Sequence, residues 1–174
     1  GHYAVNIFYN ILEDDYLKTL KERTLELTEK DTMKHSTNVK ANMTAYEKMV
    51  DDPIYDTFKK TVLSFFNAAL VLRTPHIDVP KFYFYELWGM KFNKGQRTLV
   101  HNHMGANWSG VFCIDTDKNA AQINFPEMDH AENMIPNSLY LFPGMMLHST
   151  NPYLGKNPRV AVSFNLMTSH TKVV

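Results

Sequence analysis

The chain of 174 residues contains one cysteine, Cys113. It has no partner for an intramolecular disulfide and cannot build a thiolate metal cluster, and such sparse usage fits a reducing compartment. No apolar run reaches the roughly 20 residues of a transmembrane helix, and no charged-then-apolar leader opens the sequence. The expectation is a cytoplasmic protein with no membrane partner. Charge of one sign is also missing: 18 Lys and Arg balance 18 Asp and Glu, at a pI near 7.3. That leaves no electrostatic footprint for binding nucleic acid. There is no internal repeat and no low-complexity stretch. What the chain does have is apolar substance, 44% hydrophobic and 13% aromatic residues, enough for a folded core and incompatible with disorder as the main state. The length suits a single domain.

Periodicity divides that domain into a helical flank, about residues 1–75, and a β core, about 76–174. Asp14 and Asp15 precede Tyr16, Leu17, Leu20 and Leu27, the spacing of an amphipathic helix over about 14–30. Residues 31–51 have no clear period and read as a connecting loop, with at most a short helix. Asp52 then offers an N-cap and Pro53 the first helical position, followed by Ile54, Phe58, Val62, Phe65, Phe66, Ala69 and Leu70 at spacings of three and four. After Pro75 the period becomes two. Strands are expected near 81–93, 97–103, 109–115, 121–125, 138–142, 145–149 and 158–167. Helices followed by seven or eight short strands predict a mainly β protein with N-terminal helices and a jelly-roll, or double-stranded β-helix, core.

In TLVHNH, His101 and His103 stand two apart, so on a strand both rings leave the same face. His148 follows on a later strand that a β-sandwich can bring opposite. Three imidazoles with open positions form a catalytic metal pattern rather than a closed structural one. An HxH pair alone is common, and the last strand adds to it. In RVAVSFNLM, Val160, Val162, Phe164 and Leu166 make one apolar face, while Arg159, Ala161, Ser163 and Asn165 make the other. A guanidinium, a hydroxyl and an amide in a row are costly to bury unless a polar ligand meets them, and the Arg fork matches a carboxylate. Otherwise that face is solvated. Trp88 and Trp108 could stack on a substrate, though packing is the commoner use of Trp; Asp115 and Asp117 are expected in a turn, and Met145 and Met146 in packing. Asn107 and Ser109 are equally suited to a cosubstrate bond or a turn cap. His2, His35, His76, His130 and His170 read as loop or surface residues.

The succession WGMKFNKG, HNH, SGVFCI, SLYLFPGMMLHS and RVAVSFN, over about residues 82–167, resembles the small bacterial and phage members of the Fe(II)- and 2-oxoglutarate-dependent oxygenases, relatives of the prolyl 4-hydroxylases. The resemblance implies a hydroxylase that couples substrate oxidation by O2 to decarboxylation of 2-oxoglutarate to succinate. It makes His101 and His148 ligands of Fe(II) and Arg159 the anchor for the far carboxylate of 2-oxoglutarate. Ser163, Asn165, Ser109 and Tyr85 are then candidates for further cosubstrate contacts. Where the family usually has Asp or Glu, this chain has His103 as the third ligand, leaving the site one unit more positive. Prolyl or other peptidyl hydroxylation is implied by kinship alone, so the substrate stays open between a small molecule and a peptide. Residues 31–51 and 131–138 are expected lids.

Two other metal readings and one without catalysis stand beside this. A cupin shares the HxH and distal His spacing but expects a Glu after HxH, where MGANW follows, and needs no counterpart to Arg159. Three neutral histidines also suit a Zn(II) hydrolase or lyase. A noncatalytic β-sandwich that binds a partner is the third alternative.

Overall fold

Strands β4 (Phe82–Phe92), β6 (Trp108–Asp115), β9 (Ser138–Pro143) and β11 (Arg159–Thr168) are buried on both faces over most of their length and are correspondingly rich in apolar residues. The computed structural model describes residues 5–33, 37–74, 78 and 80–169. In it these four join β1 (Asn6–Tyr9) and β3 (Asn42–Met43) in one antiparallel sheet of order β1-β9-β6-β11-β4-β3. A three-stranded sheet has β7 (Gln122–Phe125) between β10 (Ser149–Thr150) and β8 (His130–Asn133), and β2 (Val39–Lys40) pairs with β5 (Arg97–Thr98).

Alternation along each central strand separates two cores. Phe112, Ile114, Leu139, Leu141, Val160, Val162, Phe164 and Leu166 face helices α1 (Asp14–Lys30) and α2 (Asp56–Arg73), meeting Leu20, Leu27, Phe58, Val62 and Phe66. Val111, Cys113, Tyr140, Phe142 and Ala161 face the other way, towards Ile123 and Phe125 of β7. The result is the expected jelly roll with helices on one face. At Gly89, where α1 crosses β4, a Cβ would lie 2.3 Å from Met49 Cε and 3.0 Å from Thr24 Cγ2, so a larger residue would have to displace the Met49 side chain and press on α1.

Helix α1 follows its predicted bounds. Asp52 does cap, its Oδ1 accepting from Ile54 N at 3.1 Å, but it caps a 3-10 turn, Pro53–Tyr55, that leads into α2 three residues later than predicted. The expected strand over 97–103 shrinks to Arg97–Thr98, and that over 145–149 to Ser149–Thr150, because both segments leave the sheet around the histidines. The two expected lids are built into the fold instead. Within 31–51, β2 and β3 pair with β5 and β4, and Met43, Thr44 and Met49 are buried. Within 131–138, residues 131–133 belong to β8 and Met134 is buried. His130, expected in a loop or at the surface, opens β8 and is partly exposed; His2, His35, His76 and His170 lie outside the described residues. Among the described residues no helix is long and apolar enough to cross a membrane.

Candidate metal centre

His101 and His148 form an isolated antiparallel bridge in which each backbone N–H bonds the other's carbonyl, at 3.0 and 2.9 Å. His103 N donates to Gly144 O at 2.7 Å, and Asn107 N to Leu166 O at 3.1 Å. The segment HNHMGAN is thus stapled between the 143–148 segment and the end of β11 without being a strand. Gly105, at φ +92°, makes the turn. Gly144 is required for a different reason: a Cβ there would stand 2.2 Å from Ala106 O.

Each imidazole is oriented through its Nδ1. That of His101 is 2.7 Å from Leu99 O, and that of His148 is 3.0 Å from Met146 O. Carbonyls only accept, so both nitrogens carry the hydrogen and both Nε2 present a lone pair. His103 Nδ1 lies 2.7 Å from Asn165 Oδ1 and 3.0 Å from Ser109 Oγ. The Asn165 amide is fixed by its other end, since Nδ2 donates to Glu86 Oε1 at 2.8 Å. Its Oδ1 therefore faces His103, which is also the tautomer with a free Nε2. The candidate ligand atoms of the three residues lie within 4.8 Å of one another.

Burial keeps these rings neutral. Desolvation lowers His101, takes His103 down to about 4 against the opposing bond to Asn165, and sets His148 well below the usual imidazole range, with the other two rings adding to the effect. Neutral imidazoles with fixed tautomers and convergent lone pairs are a donor set for a borderline divalent ion.

The same cavity is lined by Trp88, Thr98, Ile123, Thr150, Ser163 and Arg159 as well as the histidines. Arg159 is 2% exposed and has no acidic partner among the described residues. Its guanidinium lies 3.8 Å over the Phe92 ring, Nη1 is 3.5 Å from Met134 Sδ, and Nε has no hydrogen-bond partner among the described residues. Burial lowers its pKa to about 10, so it is still charged at neutral pH. Cys113, the nearest thiol, is pushed up to about 12 by burial and supplies no countercharge. A buried cation with an unused donor is incomplete without an anion. The histidine donor set and this guanidinium together fit a metal with a small dicarboxylate.

The remaining sequence candidates divide. Ser163 lines the cavity with Arg159. Ser109 and Asn165 sit against His103, on the metal side of the site. Tyr85 does not line the cavity: it is extruded at a bulge between β4 and β11 and is 48% exposed. Asn107 Oδ1 accepts from Thr168 N at 2.9 Å, which makes it a strand-end cap. Asp117 accepts from Lys156 N, Asn157 N and Asn157 Nδ2, and Asp115 pairs with Lys21, so both are structural. Trp108 packs on Phe66 on the helix side, whereas Trp88 separates the cavity from a neighbouring groove and lines both. Glu86, which also lines that groove, escaped the sequence reading. Its parity with Trp88, Met90 and Phe92 along β4 was the available signal.

No protein-family model matches the chain, and no curated protein does. Solved structures do. The viral collagen prolyl hydroxylase vCPH of Paramecium bursaria Chlorella virus-1, in its 2OG complex, is similar at TM-score 0.69 and 12% identity, over 94% of this chain and 95% of that one. A Pseudomonas putida prolyl-4-hydroxylase gives 0.68 and 12%, over 93% and 92%. The epimerase SnoN, in complex with Fe3+, alpha ketoglutarate and nogalamycin RO, gives 0.73 and 7%, over 95% and 79%. The fold is therefore the double-stranded β-helix of the Fe(II)/2-oxoglutarate-dependent oxygenases. At these identities it is the fold that is shared.

Proposed function

We propose that this protein is an Fe(II)- and 2-oxoglutarate-dependent dioxygenase that hydroxylates a peptide or small-molecule substrate. The observation that carries the reading is Arg159, a buried guanidinium with no acidic partner among the described residues, in the cavity that three histidines share. His101, His103 and His148 hold the iron through Nε2. When bound, that iron supplies activation of O2 coupled to decarboxylation of 2-oxoglutarate to succinate. Arg159 pairs with the far carboxylate of 2-oxoglutarate, and the Ser163 hydroxyl adds a bond in the same cavity.

Phe92, Val111 and Ile123 keep water from the cosubstrate, which strengthens the Arg159 pair. The groove beyond Trp88, lined by Asn38, Tyr46, Glu86, Asn102 and Met104, is the substrate's approach to the histidines. Its amides and exposed Met104 suit an extended peptide, the class hydroxylated by the prolyl hydroxylases of the same fold. A cupin or hydrolytic zinc site does not require a counterpart to Arg159, whereas 2-oxoglutarate does, which is why those readings rank below. The test is succinate release from 2-oxoglutarate by the iron-loaded protein with Pro-containing peptides: iron-dependent succinate that Arg159→Ala suppresses supports the reading, and 2-oxoglutarate left unconsumed under all conditions contradicts it.

A further inference from the structure

Glu86, Asn165 and Ser109 stand on one rung of the large sheet. Asn165 on β11 is the direct cross-strand partner of Glu86 on β4 and of Ser109 on β6. Their side chains are joined as well. Asn165 Nδ2 donates to Glu86 Oε1 at 2.8 Å, Ser109 Oγ donates to Asn165 Oδ1 at 2.7 Å, and the same Oδ1 receives His103 Nδ1–H at 2.7 Å. A carboxylate is thereby connected, through one amide, to the imidazole at the position where the resembling family carries a carboxylate ligand. Among the described residues Glu86 has no ion-pair partner, and it is the one acidic residue lining the groove beside the histidines.

We propose that Glu86 is a positioning residue that restores, from one bond further out, the negative charge missing at position 103. The inference rests on the metal reading above. A carboxylate on Nδ2–H polarises the amide and makes Oδ1 a stronger acceptor. A stronger acceptor on Nδ1–H makes the His103 Nε2 lone pair more basic, as a carboxylate bonded directly to a ligand histidine does. The Glu86 carboxylate only accepts, so the amide cannot turn its NH2 towards His103, and Ser109 adds a second donor to Oδ1. The relay fixes both the tautomer and the donor strength of that ring. The bulge that follows directly on this rung, where Tyr85 is extruded, brings β4 back into register only after Glu86 has met Asn165.

Glu86→Gln isolates the charge, because the glutamine Oε1 still accepts from Asn165 Nδ2 and the rung keeps its bonds. The experiment is a Co(II) titration followed by the visible ligand-field spectrum, on the parent chain, Glu86→Gln, His103→Asp and the double variant. Outer-shell partners of metal ligands are worth about 10–100-fold in affinity, so Glu86→Gln should raise the Co(II) dissociation constant about tenfold in the parent. In the His103→Asp background, which has no imidazole to polarise, the same substitution should change it by less than about twofold. An equal loss in both backgrounds, or no loss in the parent, overturns the relay while leaving the three-histidine site standing. If the parent chain binds no Co(II), the metal reading falls and the relay falls with it.

Discussion

His101 and His148 exchange both backbone hydrogen bonds across an isolated bridge, with ring centroids 4.3 Å apart. The main chain thus brings the two ligands together independently of their side chains. His148→Ala should accordingly leave the fold intact by circular dichroism. Losing a ligand should cost more metal affinity than the roughly 100-fold upper range for losing an outer-shell partner, and it should abolish turnover. Retention of stoichiometric Fe(II) by this variant, measured after dialysis, would remove His148 from the site.

Arg159 lies in the cavity with no acidic partner among the described residues, so replacing it breaks no ion pair seen there. Arg159→Met should raise the melting temperature of the ligand-free protein, because a buried unpaired charge goes and apolar contact with Phe92 stays. The same change should weaken 2-oxoglutarate by roughly 30-fold or more, since truncating one side of a buried charge pair costs about 2–5 kcal/mol. Calorimetric titration and a thermal scan on the one sample check both directions. A lower melting temperature would mean that an anion-independent role for Arg159 had been overlooked.

His103→Asp should retain Fe(II) at least as tightly as the parent, because it restores a charged ligand where the ring now stands and Ser109 can still donate to it. Loss of metal in this variant, read by elemental analysis, would show that position 103 does not face the ion.

Acid should destabilise the metal-free protein in a defined window. All three histidines are lowered from 6.5 in the folded chain, His103 to about 4 and His148 well below the usual range. The unfolded chain takes up protons near 6.5 while the folded chain resists them. Stability is therefore complete above about pH 6.5 and declines as pH falls towards 4. Denaturant melts between pH 8 and 4 should show that decline, and His103→Gln, which has no proton to gain, should flatten it. An unchanged slope in the variant would place the titration elsewhere.

Gly110 faces the Phe164 ring so closely that a Cβ would fall 2.2 Å from Cζ. Gly110→Ala should cost about 1–3 kcal/mol by overpacking the helix-side core, with no direct effect on the histidines. A chemical melt measures the first and Co(II) affinity the second.

Much of this was legible in the chain. Strands β4, β6, β9 and β11 are long enough for their period and turn residues to bound them, and the parity of Val160 against Arg159 assigned the two faces of β11 correctly. The short strands were not legible: β2 and β3 hold two residues each, and only pairing with β5 and β4 makes them strands. For the same reason residues 31–51 looked like a loop. The histidines were found by spacing, yet their geometry comes from a bridge and a stapled turn rather than from the strand the spacing suggested. Asn165 was placed on the correct face, but its link to His103 was not legible, since that depends on which strands flank β11. Glu86 needed that same sheet order.

The most direct test of the central claim is an anaerobic titration of metal-free protein with Fe(II) and then 2-oxoglutarate, following the visible charge-transfer band of a keto acid chelated to Fe(II), with Arg159→Ala in parallel. The account predicts a band that requires both components and that needs far more 2-oxoglutarate in the variant. Folded protein that binds Fe(II) yet gives no band at saturating 2-oxoglutarate would contradict it.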